Sequence, residues 1–210
     1  MSTDSTVSGA WSQIAAGDGV SRAIGLILLA MSVVSWTLIL SRSWFTWRAN
    51  RSLELGLQAF WRAPDSASAL AALQAVDPCS LLTPLARAAV DAHTASARVR
   101  VLRDGLGASR RSLQRGLTAL ASIASTAPFV GLLGTVWGIY HALLGISASG
   151  QASIERVAGP VGEALIMTAA GLAVAIPALL AYNALVRIQR EILLRLEGFA
   201  HDLQEQESLK

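Results

Sequence analysis

The stretch GPVGEALIMTAAGLAVAIPALLAYN, residues 159–183, decides how the chain is read. From Ala164 to Asn183 it carries no charge. About twenty such residues in an α-helix rise some 30 Å, the thickness of a bilayer's hydrocarbon core. One carboxylate, Glu163, stands just ahead of this run. At the bilayer centre a carboxylate costs on the order of 3 kcal/mol or more, so it is a functional candidate by default. Glu163 also follows closely on Pro160. In a first helical turn it could face water and stabilise the positive end of the helix dipole. The residues alone leave both readings open.

Composition supports a membrane protein. Only 15% of the 210 residues are charged, against roughly 25% in soluble domains. The balance is basic but the net charge is only +3. The arginines crowd against apolar runs, where membrane topology explains them better than nucleic acid does. Nucleic-acid binding is therefore excluded as a function class. The single cysteine, Cys79, allows no intrachain disulfide and no cysteine-based metal site. Residues 1–20 contain Asp4 and Asp18 but no Lys or Arg. Without a basic leading region, the first apolar run is expected to remain as an anchor rather than be cleaved.

Two further spans accompany the one at 161–186. The first, residues 23–40, lies between Arg22 and Arg42 and is followed by Trp44, Phe45 and Trp47, an interfacial aromatic belt. The second covers residues 117–146. It and the third are longer than a crossing requires, so each must tilt or project. Segment 41–116 carries eleven Arg and five acids. The tail from 187 crowds Arg187, Arg190 and Arg195 next to the third span, whereas 1–22 and 147–160 hold one Arg each. The positive-inside rule then places 41–116 and 187–210 in the cytoplasm, and 1–22 and the short loop 147–160 outside. Residues 10–20 could lie along the outer surface as a short amphipathic piece, a reading weakened by Gly17 and Gly19.

Segment 41–116 is written for helices. ARAAVDAHTASARVRVLRDGL and SRRSLQRGLTALAS are rich in helix formers. Thr83-Pro84 reads as a helix start and Asp77-Pro78 as the turn before it. No alternation of the strand type is visible. The expected fold is an all-α membrane protein with three transmembrane helices. The second and third should extend into a helical cytoplasmic lobe.

Small residues mark one side of the second span: Ala127, Gly131, Gly134, Thr135, Gly138, Ala142 and Gly145. Their three-to-four-residue spacing makes a stripe, and Gly134-x-x-x-Gly138 is a pattern that lets helix backbones touch in lipid. Gly162, Ala169, Ala170, Gly171, Ala173, Ala175 and Ala178 add small surface on the third span. Pro128 and Pro177 each remove a helix hydrogen bond, giving either a fixed bend or a compliant point. Thr168 and Thr135 read first as hydroxyls bonded one turn back. Glu163 and Thr168 lie about 140° apart around a helix, so they do not share a narrow face. His141 reads as an interfacial polar residue, His93 and His201 as surface residues. No phosphate-binding loop, metal-ligand set or nucleophile elbow occurs, so the sequence calls for no cofactor and no enzyme chemistry.

STAPFVGLLGTVWGI (residues 125–139) and residues 159–183 closely resemble the two signature helices of the MotA/TolQ/ExbB proton-channel family, the ExbB branch most of all. The likeness is tight over about a third of the chain and agrees in topology elsewhere. It implies an inner-membrane protein of Gram-negative bacteria that forms a homopentamer, its second and third helices enclosing a pore. An ExbD-like one-span protein would thread the pore, and the complex would energise a TonB-like protein for outer-membrane uptake of iron carriers and cobalamin. By motif position Glu163 corresponds to the family's pore glutamate, and Thr168 and Thr135 to its pore-lining threonines. The family's principal candidate proton carrier is an aspartate on the ExbD helix. A TolQ-like role in envelope constriction is the alternative within the family. A passive helical scaffold, needing the small faces but not Glu163, is the alternative outside it.

Overall fold

In the computed structural model, residues 19–92, 94–149 and 154–205 are described. Residues 1–18, with most of the amphipathic piece read at 10–20, and His93 lie outside them. The described residues form six helices and no strand: α1 (Gly19–Arg62), α2 (Ser66–Val76), α3 (Thr83–Asp91), α4 (Ala95–Gln114), α5 (Leu117–Ser149) and α6 (Ile154–Glu205). Three of them contain runs long and apolar enough to cross a membrane. The runs expected at 23–40, 117–146 and 161–186 fall inside α1, α5 and α6.

The helices sort into two compact units. One takes residues up to Ile39 and Ala119–Tyr182; the other takes Leu40–Thr118 and residues from Asn183 onward. In the first unit the core is small. Ile24 and Leu28 of α1 meet Ala127 of α5 and Ala175 of α6, with Met31, Val130, Met167, Ala170 and Val174 packed around them. Large apolar side chains stay outside: Phe129 is 70% exposed and Leu180 65%. A water-soluble domain rarely leaves so much apolar surface open, and lipid or other chains must cover it.

The second unit has an ordinary hydrophobic core. Leu53 and Phe60 of α1, Leu73 of α2, Leu82 and Leu85, Leu102 and Leu113 of α4, and Ile192, Leu196 and Phe199 of α6 are all buried in one cluster. Phe60 and Phe199 meet edge to face at 5.1 Å, a preferred aromatic geometry. Gln189 Nε2 donates to the Leu113 carbonyl at 2.6 Å, a buried bond fastening α6 to the last turn of α4.

The short helices are held by their caps. Asp65 accepts from the Ser68 amide at α2, and Thr94 Oγ1 from the Ala97 amide at α4. At α3 the start is not made by Thr83 as the sequence suggests. Leu82 is the N-cap residue, without a side-chain bond of its own. The buried Asp77 carboxylate supplies the acceptors, taking the amides of Leu81 at 3.1 Å and of Leu82 and Thr83 at 2.8 Å. At the other end of α3, buried Arg98 donates to the carbonyls of Ala89 and Ala92. Gly116, with φ 77°, makes the turn between α4 and α5, a conformation that suits glycine. Beside the Asp77 turn, Cys79 is half-buried. Burial first, and the Asp77 charge second, push its thiol above the ordinary range.

Three backbone donors depend on one carboxylate, so Asp77→Ala should destabilise this unit by about 1–3 kcal/mol. The thermal transition of the detergent-solubilised protein should fall clearly. Asp77→Asn, which keeps one acceptor oxygen, should fall less. Equal transitions for all three proteins would contradict the capping role.

Candidate functional site

The α5–α6 pair holds every residue singled out as a site candidate. The two helices run antiparallel: Gly131 of α5 approaches Gly171 of α6, and Gly138 approaches Ala164. At each contact a glycine stands where no side chain fits. A Cβ on Gly131 would lie 2.7 Å from the Met167 carbonyl oxygen and 3.1 Å from the Cα of Thr168. One on Gly171 would lie 2.7 Å from the Ala127 carbonyl oxygen. One on Gly134 would meet the Met167 Cβ at 2.7 Å, with Ile24 of α1 close behind at 3.3 Å. One on Gly138 would meet the Ala164 Cβ at 2.7 Å. Backbone therefore packs on backbone, the arrangement that small residues permit between helices in lipid.

The small-residue stripe does not all serve this contact. Ala142, Ala175 and Ala178 are buried. Ala169 and Ala173 are exposed, and among the described residues nothing lies within 4 Å of a Cβ added at Gly145 or Gly162. Sequence spacing marked the stripe but not its far side: Met167, Ala164 and the Ala127 carbonyl complete the interface, and Ile24 closes it from α1. Pro128 lies within α5 and Pro177 within α6. Pro160 also lies inside α6, so the helix begins at Ile154 and Glu163 stands beyond its first turn.

The two threonines sit at the same contact. Thr168 Oγ1 donates across the helices toward the Gly131 carbonyl at 3.2 Å and Thr135 Oγ1 at 3.3 Å. Thr135 is buried and donates one turn back to the Leu132 carbonyl at 2.7 Å. Within one chain these hydroxyls clasp α5 to α6. Glu163 lies elsewhere on the helix. Its side chain is exposed, and among the described residues no hydrogen bond or ion pair engages it. At the far end of α5, His141 rests on the Trp137 ring at 4.8 Å and beside Tyr140 at 5.5 Å. Its Nδ1 is 3.3 Å from the Trp137 carbonyl oxygen. No group of His, Cys, Asp and Glu side chains suited to a metal occurs among the described residues.

The sequence model of the MotA/TolQ/ExbB proton channel family matches residues 62–198. The chain belongs to this family. Two relatives are Biopolymer transport proteins ExbB. That of Xanthomonas campestris pv. campestris strain B100 is 40% identical over 205 residues, covering 88% of this chain and 80% of the relative. That of Neisseria meningitidis serogroup B strain MC58 is 40% identical over 203 residues, covering 89% and 91%. The Tol-Pal system protein TolQ of Pseudomonas aeruginosa is 33% identical over 221 residues, covering 92% and 90%. The chain is thus an ExbB-like member and a multi-pass membrane protein, with the apolar helices to match.

Gly131→Ala puts a methyl against backbone that cannot step aside. Overpacking of this kind costs about 1–3 kcal/mol, and Gly131→Leu should not give a monodisperse protein at all. Gly162→Ala, whose added carbon would meet no other element among the described residues, should leave thermal stability unchanged or raise it by up to about 1 kcal/mol. Thr168→Val should cost about 1 kcal/mol as one interhelical bond is lost. Melting of the purified variants in detergent checks the ranking, and a Gly131→Ala protein as stable as Gly162→Ala would refute the close contact.

Proposed function

We propose that the chain is the pore-forming subunit of a motor driven by the proton-motive force in the bacterial inner membrane. Five copies surround an ExbD-like one-span partner, and the assembly energises a TonB-like protein for outer-membrane uptake of iron carriers and cobalamin. The N-terminus and the α5–α6 connection face the periplasm; segment 41–116 and the tail from 187 face the cytoplasm, following the arginine asymmetry.

One observation carries this reading. Glu163 is exposed in the single chain, at the head of a part of α6 that presents apolar residues such as Leu165 and Ile166 outward. A carboxylate left against lipid is expensive. It calls for another chain, or for water enclosed by other chains, beside it. A ring that turns Glu163 toward an inner partner supplies both. Thr168 and Thr135 hold the wall of this pathway through their bond across the helices, Pro128 and Pro177 set its bends, and Glu163 shapes the route while the partner's aspartate carries the proton. Five subunits around fewer partner helices cannot all make equivalent contacts. Stepwise protonation at those contacts would then turn one component against the other.

The 33% identity to a TolQ protein over nearly the whole chain keeps envelope constriction as the second reading. Co-purification separates the two: an ExbD/TonB pair supports nutrient uptake, a TolR-like partner supports constriction. The decisive variant is Glu163→Ala, expressed with its one-span partner. Growth under iron limitation and proton flux in liposomes should both be lost, while the complex still assembles. Full growth and flux would leave only a passive scaffold.

A further inference from the structure

Two arginines stand together at one edge of the second unit, with no acidic partner among the described residues. Arg42, on α1, rests its guanidinium carbon 5.6 Å from the centre of the Phe45 ring. Phe45 packs against the core that holds Leu113. Arg115, the exposed C-cap residue of α4, follows Leu113 by two positions. Burial first, and the Arg115 charge second, push the Arg42 guanidinium below the ordinary arginine range. Like charges so placed repel, and each disfavours the charged form of the other. Neither arginine has a hydrogen bond or an ion pair among the described residues.

The neighbouring sequence supplies no counter-charge. Residues 19–53, 105–154 and 164–190 contain neither Asp nor Glu. The acids beyond these stretches are engaged or distant. Glu54 bonds Arg195 at 3.0 Å, and Glu191 lies 3.7 Å from Arg187. The buried Asp77 carboxylate accepts three amides. Asp104 precedes Arg115 by eleven residues, about 16 Å along a helix. The other charges near in sequence are positive too: Arg48 and Arg51 on α1, Arg110 and Arg111 on α4, Arg187 and Arg190 on α6.

The depth of the pair points to its occupant. Arg42 comes two residues after the apolar run 23–40, and Arg115 two residues before the run 117–146. Both stand where an apolar span ends, at the level of lipid headgroups. Trp44 and Trp47 mark that level from another side of α1. Both are exposed, with ring centres 5.8 Å apart, and tryptophan collects at the membrane–water interface. Arg51, farther from the apolar run, lies over the Trp47 ring at 5.8 Å.

We propose that Arg42 and Arg115 bind the phosphate of an anionic phospholipid at the membrane surface next to segment 41–116. That leaflet is the cytoplasmic one on the orientation proposed above; the site itself depends neither on the ring nor on the partner. Guanidinium groups match phosphate oxygens with paired donors. Phosphatidylglycerol brings a negative charge and no cation, so it relieves the repulsion. Phosphatidylcholine carries its own ammonium group and relieves little. The bound lipid ties α1 to the turn between α4 and α5.

The test uses the full chain, purified in neutral detergent and titrated with phosphatidylglycerol, with phosphatidylcholine and inorganic phosphate as separate arms. Native mass spectrometry should show phosphatidylglycerol retained, and the thermal transition should rise with it. The other two should do neither. Arg42→Gln and Arg115→Gln should each weaken retention about fivefold, and together about thirtyfold, the usual effect of arginines at an anionic lipid surface. Arg42→Lys with Arg115→Lys, which keeps the charge, should retain most of the lipid. Without lipid the double Gln variant should melt no lower than the unaltered protein, because the repulsion is gone. Arg100→Gln with Arg103→Gln removes the same charge elsewhere on α4 and should leave retention unchanged. Undiminished retention in the double Gln variant, an equal loss in the Arg100 and Arg103 control, or no preference over phosphatidylcholine would overturn the site. So would an equal response to inorganic phosphate, which assigns the pair to a free anion. Displacement of the lipid by the one-span partner would assign the pair to protein and refute the proposal as well.

Discussion

Everything in the membrane-type unit depends on how near two backbones come. At Gly131 and Gly171 the helices are separated by less than a methyl group would need. In lipid there is little hydrophobic drive for helices to associate, because the surroundings are as apolar as the side chains. What remains is dispersion between closely fitted atoms and the few polar bonds that closeness permits. The bond from Thr168 toward the Gly131 carbonyl is one of these. It reaches another helix because nothing larger than hydrogen stands on Gly131.

This contact also decides what faces outward. With the small side chains turned inward, large apolar ones such as Phe129, Leu165 and Leu180 cover the outside. Glu163 stays off the packed face and is exposed. A paired α5–α6 is therefore a finished wall on one side and an unfinished one on the other, and the unfinished side holds a carboxylate that lipid does not accept. The second unit obeys the opposite rule. Its leucines and phenylalanines are inside and its charges outside, as water requires. Its buried charged and amide side chains each have a hydrogen-bonding role: Asp77 and Arg98 at the two ends of α3, Gln189 between α6 and α4.

Helix type and the three apolar runs were legible because hydropathy and length constrain them directly. The glycine spacing on α5 also identified a packing face, since only small residues at that period allow contact. Spacing could not reveal the depth of the stripe: Gly145 and Gly162 continue it in sequence, but among the described residues a Cβ at either would meet nothing within 4 Å. Nor could it show that Thr168 bonds across to α5. A lone threonine satisfies itself one turn back just as well, as Thr135 does. The helix-start reading of Glu163 took Pro160 as the boundary. A proline within a helix loses its own amide bond but leaves the other turns intact, and α6 begins earlier. The cap of α3 was misplaced for a related reason. The nearest hydroxyl, Thr83, was the local candidate, but the acceptor came from Asp77, folded back across the turn.

The central claim is that the α5–α6 contact turns Glu163 toward an enclosed space between chains. The most direct measurement is an experimental structure of the whole complex in a lipid nanodisc, resolved well enough to place the Glu163 carboxylate and the acyl chains. The account predicts Glu163 facing the partner helices in the centre, with Thr168 still bonded to α5. Acyl-chain density against the Glu163 side chain in every subunit would contradict it.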